Sequence, residues 1–151
     1  MEPTKHIKIL VVHGPNMNLL GEREPEIYGT LTLAEINRRL VESAPNADLK
    51  VLQTNHEGEI IDAIQDARKW AEGILINPAG FTYTSIAIRD SIAAVNLPTV
   101  EVHMSNIYRR EPFRSQSVLV PVCIGQVCGF GWNSYVAGLS ALLTYLAEHQ
   151  G

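Results

Sequence analysis

The sequence predicts an α/β fold: a five-stranded parallel sheet in three layers, with helices on both faces. Two observations carry this expectation. Short apolar runs rich in β-branched residues alternate with longer amphipathic segments along the 151 residues, which is the βα rhythm of a parallel sheet. The runs are almost continuously apolar, as strands covered on both faces are. With right-handed crossovers, such units give the flavodoxin-like arrangement.

The first strand is read at residues 7–12, IKILVV. A polar, Gly/Pro-rich stretch over 13–30 follows, and long connections of this kind often serve as lids or binding loops. The first helix starts at Thr32, where Thr32-Leu33-Ala34-Glu35 reads as a capping box, and Leu33, Ile36, Leu40 and Val41 recur at helical spacing. Strand two is 49–54. The next helix runs through Ile60, Ile61, Ile64, Ala67 and Trp70, with Glu57 and Glu59 at its positive end. Strand three, 73–76, stops at Asn77-Pro78-Ala79-Gly80. Thr84 or Ser85 caps a third helix whose apolar face includes Ile86, Ile88, Ile92 and Val95. Strand four is 99–102, a short fifth strand lies within 124–128, and a last helix spans 133–148. No repeat, linker or low-complexity tract interrupts this order, so one domain over 1–151 is expected, with a lid at about residues 20–29.

Composition narrows the function. A net charge of −4 offers no basic field for nucleic acid. A local arginine pocket for a small anion is still compatible with it. No apolar stretch approaches the ~20 residues of a membrane helix. MEPTKHIKILVV lacks the apolar length and cleavage site of a signal peptide. Cys123 and Cys128 lack CxxC spacing and read as a buried, reduced pair, which suits a cytoplasmic chain. The five histidines are scattered, without paired-ligand spacing, so no metal site is expected. Gly129-Phe130-Gly131 lacks the third glycine of a dinucleotide fingerprint.

In open α/β sheets, ligands bind beyond the carboxyl ends of the strands. Those ends lead into 13–29, 55–59, 77–85 and 103–114, where the polar residues concentrate. Arg23 and Tyr28 share the first loop. Free tyrosine is a poor base, with a pKa near ~10, but a neighbouring guanidinium favours the phenolate. Surface arginine and packing tyrosine is the competing interpretation. Glu101 and His103 lie two apart at the end of strand four, so alternation turns them to one side. A carboxylate there fixes the imidazole tautomer and equips it as a general acid, unless the two form only a strand-end ion pair. Asn16 and Asn77 follow strands one and three; they either shape turns or offer amides to a carbonyl, hydroxyl or enolate. Arg109, Arg110 and Arg114 form a basic turn that could also bind hydroxyls or a carboxylate. The Met104 and Ser105 backbone N–H groups are further anion-binding candidates. Ser85 reads as a helix cap rather than a nucleophile, and Asp90 as an ordinary charge of helix three.

Three segments, HGPNMNLLGEREPEIYG, NPAGFTYTSIAIRD and EVHMSNIYRREPFR, resemble in this order type II 3-dehydroquinate dehydratase. The likeness extends to the C-terminal GFGWNSYVAGLSALLTYL. It implies a cofactor-independent and metal-independent hydro-lyase, dodecameric and built from trimers, converting 3-dehydroquinate to 3-dehydroshikimate in aromatic amino acid biosynthesis or quinate breakdown. It further implies that Tyr28 abstracts the C2 proton beside Arg23, Asn16 stabilises the enolate, and His103, oriented by Glu101, protonates the departing C1 hydroxyl. Asn77, Tyr83, Met104, Ser105, Arg110 and Arg114 would contact substrate, and Asp90 would reach a neighbouring subunit's pocket. Tyr83 stands where the family usually has histidine; a phenol still hydrogen-bonds a hydroxyl. The competing function is a non-catalytic flavodoxin-like binding module.

Overall fold

The computed structural model describes residues 6–149; residues 1–5 of the N-terminal segment read for a leader, and the two last residues of the expected domain, lie outside this range. Five parallel strands form one sheet: β1 (Ile7–His13), β2 (Ala47–Gln53), β3 (Gly73–Asn77), β4 (Thr99–His103) and β5 (Gly125–Cys128), ordered β2-β1-β3-β4-β5. This is the expected flavodoxin-like order. Alternation along β1 divides the core. Ile9 and Val11 pack with Ile36 and Leu40 of α2 (Leu33–Ser43) and with Leu139 and Leu142 of α5 (Asn133–His149). Leu10 and Val12 face Ile60 and Ile64 of α3 (Glu57–Ala67) and Ile88 and Ile92 of α4 (Ile86–Val95).

Local chemistry sets the helix ends. The Thr32–Glu35 capping box forms with both of its reciprocal hydrogen bonds. Ser85, rather than Thr84, caps α4: its hydroxyl accepts from the Ile88 N–H and donates to Glu57. Periodicity over-extended two helical faces, since Val41 is 49% and Ile86 53% exposed. Trp70 lies past the end of α3 and donates its indole N–H to Asp66. The cysteines are free but only partly buried, a correction to the expected buried pair. Gly138 brings α5 close to the sheet: a β-carbon there would sit 2.7 Å from Val102 Cγ2.

The long 13–30 connection holds a 3₁₀ turn at Met17–Leu19 and a one-turn helix, α1 (Pro25–Tyr28), neither foreseen. Four residues are too few to show a period; Pro25 at the first helical turn, with its φ preset, marks the start. The chain reverses direction in the sheet between β1 and β3, so their carboxyl ends flank the crevice where this fold binds ligands. In register, His13 lies beside Asn77, and Glu101 beside Gln126 of β5.

Candidate active site

A single cavity at that crevice is lined by Asn16, Arg23, Tyr28, Asn77, Tyr83, His103, Met104, Ser105, Arg110 and Arg114, together with Pro15, Met17, Ala79, Gly80 and Ile107. Its volume of about 110 Å³ is on the small-molecule scale, somewhat below the roughly 150 Å³ of a closed cavity that takes benzene. It is far too small for a dinucleotide. Glu101 sits behind His103 instead of on the wall. Asp90 is exposed on α4, outside this cavity. Arg109 lines a wider neighbouring groove that shares Tyr28 and Arg110 as a wall.

At one side the Tyr28 hydroxyl accepts hydrogen bonds from Arg23 Nη2 at 3.1 Å and Arg110 Nη1 at 3.0 Å. The Arg23 guanidinium also lies 4.2 Å from the phenol ring centroid. Two guanidinium groups thus converge on one phenol oxygen. Arg110 was assigned by the resemblance to substrate, but its Nη1 is directed to Tyr28 and, at 3.2 Å, to the Ser105 hydroxyl.

On the same cavity's wall, His103 Nε2 is 2.8 Å from Glu101 Oε2, leaving Nδ1 free of that bond. Glu101 is fully buried yet satisfied: Ser117 donates to Oε1 and Gln126 to Oε2, both at 2.6 Å. Burial alone would push this carboxyl up; the hydrogen bonds from His103, Ser117 and Gln126, with the histidine's charge, outweigh it and hold it below the usual carboxylate range. The carboxylate therefore stays ionised behind the imidazole. Ser117 and Gln126 were not anticipated. A register-paired glutamine on an edge strand was the only hint, and it needs the strand order to be read.

Tyr83 lines the same cavity. Burial raises its phenol above the ordinary range, against the opposing pull of Arg114, so it stays protonated. It stacks toward His103 with ring centroids 6.5 Å apart. Asn16 adopts the left-handed conformation, φ 70°, and its N–H bonds Asn55. The remainder of 55–59 adds nothing to the cavity wall. Among the described residues no group of three or more His, Cys, Asp or Glu side chains is placed to hold a metal ion.

Fold and cavity together define a flavodoxin-like protein whose small-molecule pocket is lined by both a cation-held phenol and a carboxylate-backed imidazole. The chain belongs to the class II dehydroquinase family, whose model, "Dehydroquinase class II", matches residues 7–143. It is 59% identical over 142 residues to a 3-dehydroquinate dehydratase of a Nostoc species, covering 93% of this chain and 97% of the relative. A Geotalea daltonii protein of the same name is 56% identical over 144 residues, covering 94% of this chain and all of the relative. The crystal structure of a type II dehydroquinase from Butyrivibrio crossotus superimposes with a TM-score of 0.89 at 44% identity, covering 91% of this chain and 98% of that one.

Proposed function

We infer that the chain is a 3-dehydroquinate dehydratase that removes water by anti elimination through an enolate. The observation that carries this mechanism is the Tyr28 hydroxyl held between two guanidinium groups. As phenolate, Tyr28 takes the C2 proton, which is acidified by the adjacent ketone. Asn16 hydrogen-bonds the enolate oxygen. His103 Nδ1 then delivers a proton to the C1 hydroxyl, which leaves as water, while the Glu101 carboxylate balances the imidazolium and fixes the ring. Base and acid reside on different elements, α1 and the end of β4, so they can act on opposite faces of the ring.

Substrate hydroxyls and carboxylate fall to Asn77, Tyr83, Arg114 and the Met104 and Ser105 backbone. Arg110 contributes through Tyr28. Residues 20–29 act as the lid, bounded by the left-handed Gly21 and Gly29. Asp90, exposed beside the exposed Ile86 on α4, serves the pocket of a second copy in a trimer-based dodecamer. Among the described residues no helix is long and apolar enough to cross a membrane, and two free thiols suit a reducing cytoplasm. The reaction itself serves the shikimate pathway or quinate breakdown. A non-catalytic binding module would have no use for a buried carboxylate behind the cavity's histidine.

Purified protein given 3-dehydroquinate, without added metal, should develop the ultraviolet absorbance of a conjugated enone. A correctly folded protein that leaves the substrate unchanged overturns the assignment.

A further inference from the structure

A buried polar chain lies directly behind the cavity. Asn77 Nδ2 donates to the Tyr135 hydroxyl at 2.9 Å and contacts Met17 sulfur at 3.7 Å, while its Oδ1 accepts from the Ala79 N–H at 3.1 Å. The Tyr135 oxygen is 2.9 Å from His13 Nδ1, and His13 Nε2 is 2.8 Å from Asn37 Oδ1. His13 and Tyr135 are wholly buried, and Asn77 is 4% exposed.

Proton counting gives this chain one direction. The Asn37 oxygen only accepts, so His13 carries its proton on Nε2. The Tyr135 oxygen accepts from the Asn77 amide, so its own single proton goes to His13 Nδ1, which must be unprotonated. Both ends therefore require the same neutral tautomer, and burial favours the neutral ring. Both Asn77 amide hydrogens are committed within the protein, to the Tyr135 oxygen and the Met17 sulfur. What the side chain retains toward the cavity is the second lone pair of Oδ1. Reversing the amide would set its oxygen against Met17 sulfur, give Ala79 N–H a donor, and require the whole Tyr135–His13 chain to invert.

We propose that Tyr135, held by His13 and Asn37, is a positioning residue that locks the Asn77 amide so that it offers the ligand an acceptor. Asn77 then takes a substrate hydroxyl as donor and stands away from the carboxylate, which is left to the arginine and backbone N–H groups. This inference rests on the cavity being the 3-dehydroquinate site.

The test is a double-mutant cycle on kcat/KM for 3-dehydroquinate, using Tyr135→Phe, Asn77→Ala and the pair. Tyr135→Phe should lose about tenfold or more in the wild-type background and less than about twofold once Asn77 is alanine, because a residue acting through another has no effect in its absence. Equal losses in both backgrounds, or wild-type kinetics for Tyr135→Phe, overturn the proposal. Should Tyr135→Phe not fold, Asn37→Ala, at the half-buried end of the chain, must show the same dependence on Asn77 with a loss of about threefold. Hydrogen exchange of the Asn77 side-chain amide, read by NMR, gives a measure independent of turnover. It should be slow in the wild type and at least about tenfold faster in the variant that folds. Unchanged exchange overturns the lock, whereas absence of wild-type turnover overturns only the substrate assignment.

Discussion

Replacing Glu101 by glutamine conserves shape and removes one charge, and the surrounding hydrogen bonds set the cost. The carboxylate receives His103 and Gln126 on Oε2 and Ser117 on Oε1. The Ser117 oxygen already accepts the N–H groups of Leu119 and Val120. If the glutamine oxygen faces His103, its amide nitrogen meets a serine with no free lone pair. If it faces Ser117, a donor confronts two donors. Either way a buried group is left unsatisfied, at about 1–3 kcal/mol, and the charge-assisted bond to His103, about 1.5–3 kcal/mol, is weakened. Converted at about 1.4 kcal/mol per factor of ten, the second quantity predicts a 10- to 100-fold fall in kcat. The first predicts a melting temperature lower by roughly 3–10 °C. Steady-state dehydration followed by enone absorbance measures one, and circular-dichroism melting the other. A variant with kcat within about threefold of wild type and an unchanged melt would refute the claim that this carboxylate orients and charges the acid.

Tyr28→Phe should lower kcat by at least about 100-fold, the usual scale of a general base, while calorimetric binding of the substrate changes by less than about threefold; comparable turnover would remove Tyr28 from its role. His13 sets a pH dependence of stability. Burial, opposed by the Asn37 hydrogen bond, lowers its pKa to about 4, against ~6.5 in the unfolded chain. As pH falls the unfolded state binds the proton first, so this stability is complete above pH ~6.5 and drains away down to about 4, by roughly 3 kcal/mol. Glu101, held low, adds a loss only below about pH 4.5, as the unfolded carboxyl takes its proton. Melting temperatures of wild type and His13→Gln across pH 4–7 should differ in slope; parallel curves count against the buried neutral imidazole. Gly138→Ala gains up to about 1 kcal/mol of helix propensity but forces the 2.7 Å contact with Val102 apart, a cost of about 1–3 kcal/mol. A lower melting temperature and reduced kcat/KM are expected, since Tyr135 lies on the same helix face; a stabilised variant contradicts that packing.

What the sequence revealed follows the range of the interactions. The Thr32–Glu35 box and the Glu101–His103 pair are local, and capping chemistry and strand alternation are enough to read them. The strand-end segments carry the cavity because the fold class dictates where ligands bind. Tyr135 is 122 residues from His13 and occupies an apolar helix face, where a phenol resembles core until its hydroxyl's partner is known. Ser117 escaped notice because its segment has no regular period. That Arg110 reaches Tyr28 could not be read ahead, because residue type announces charge without direction.

β5 lies at the sheet's margin, and its Gln126 is anchored on the same anion that backs His103. The acid's counter-charge is therefore also a rivet for the outermost strand. Loosening that strand, by mutation or by anything that peels it from β4, removes a donor from Glu101 and admits water to it, silencing proton delivery without altering a single atom of the cavity wall. The base loop, fastened elsewhere, would remain competent, so such an enzyme should still exchange the C2 proton with solvent while failing to expel water.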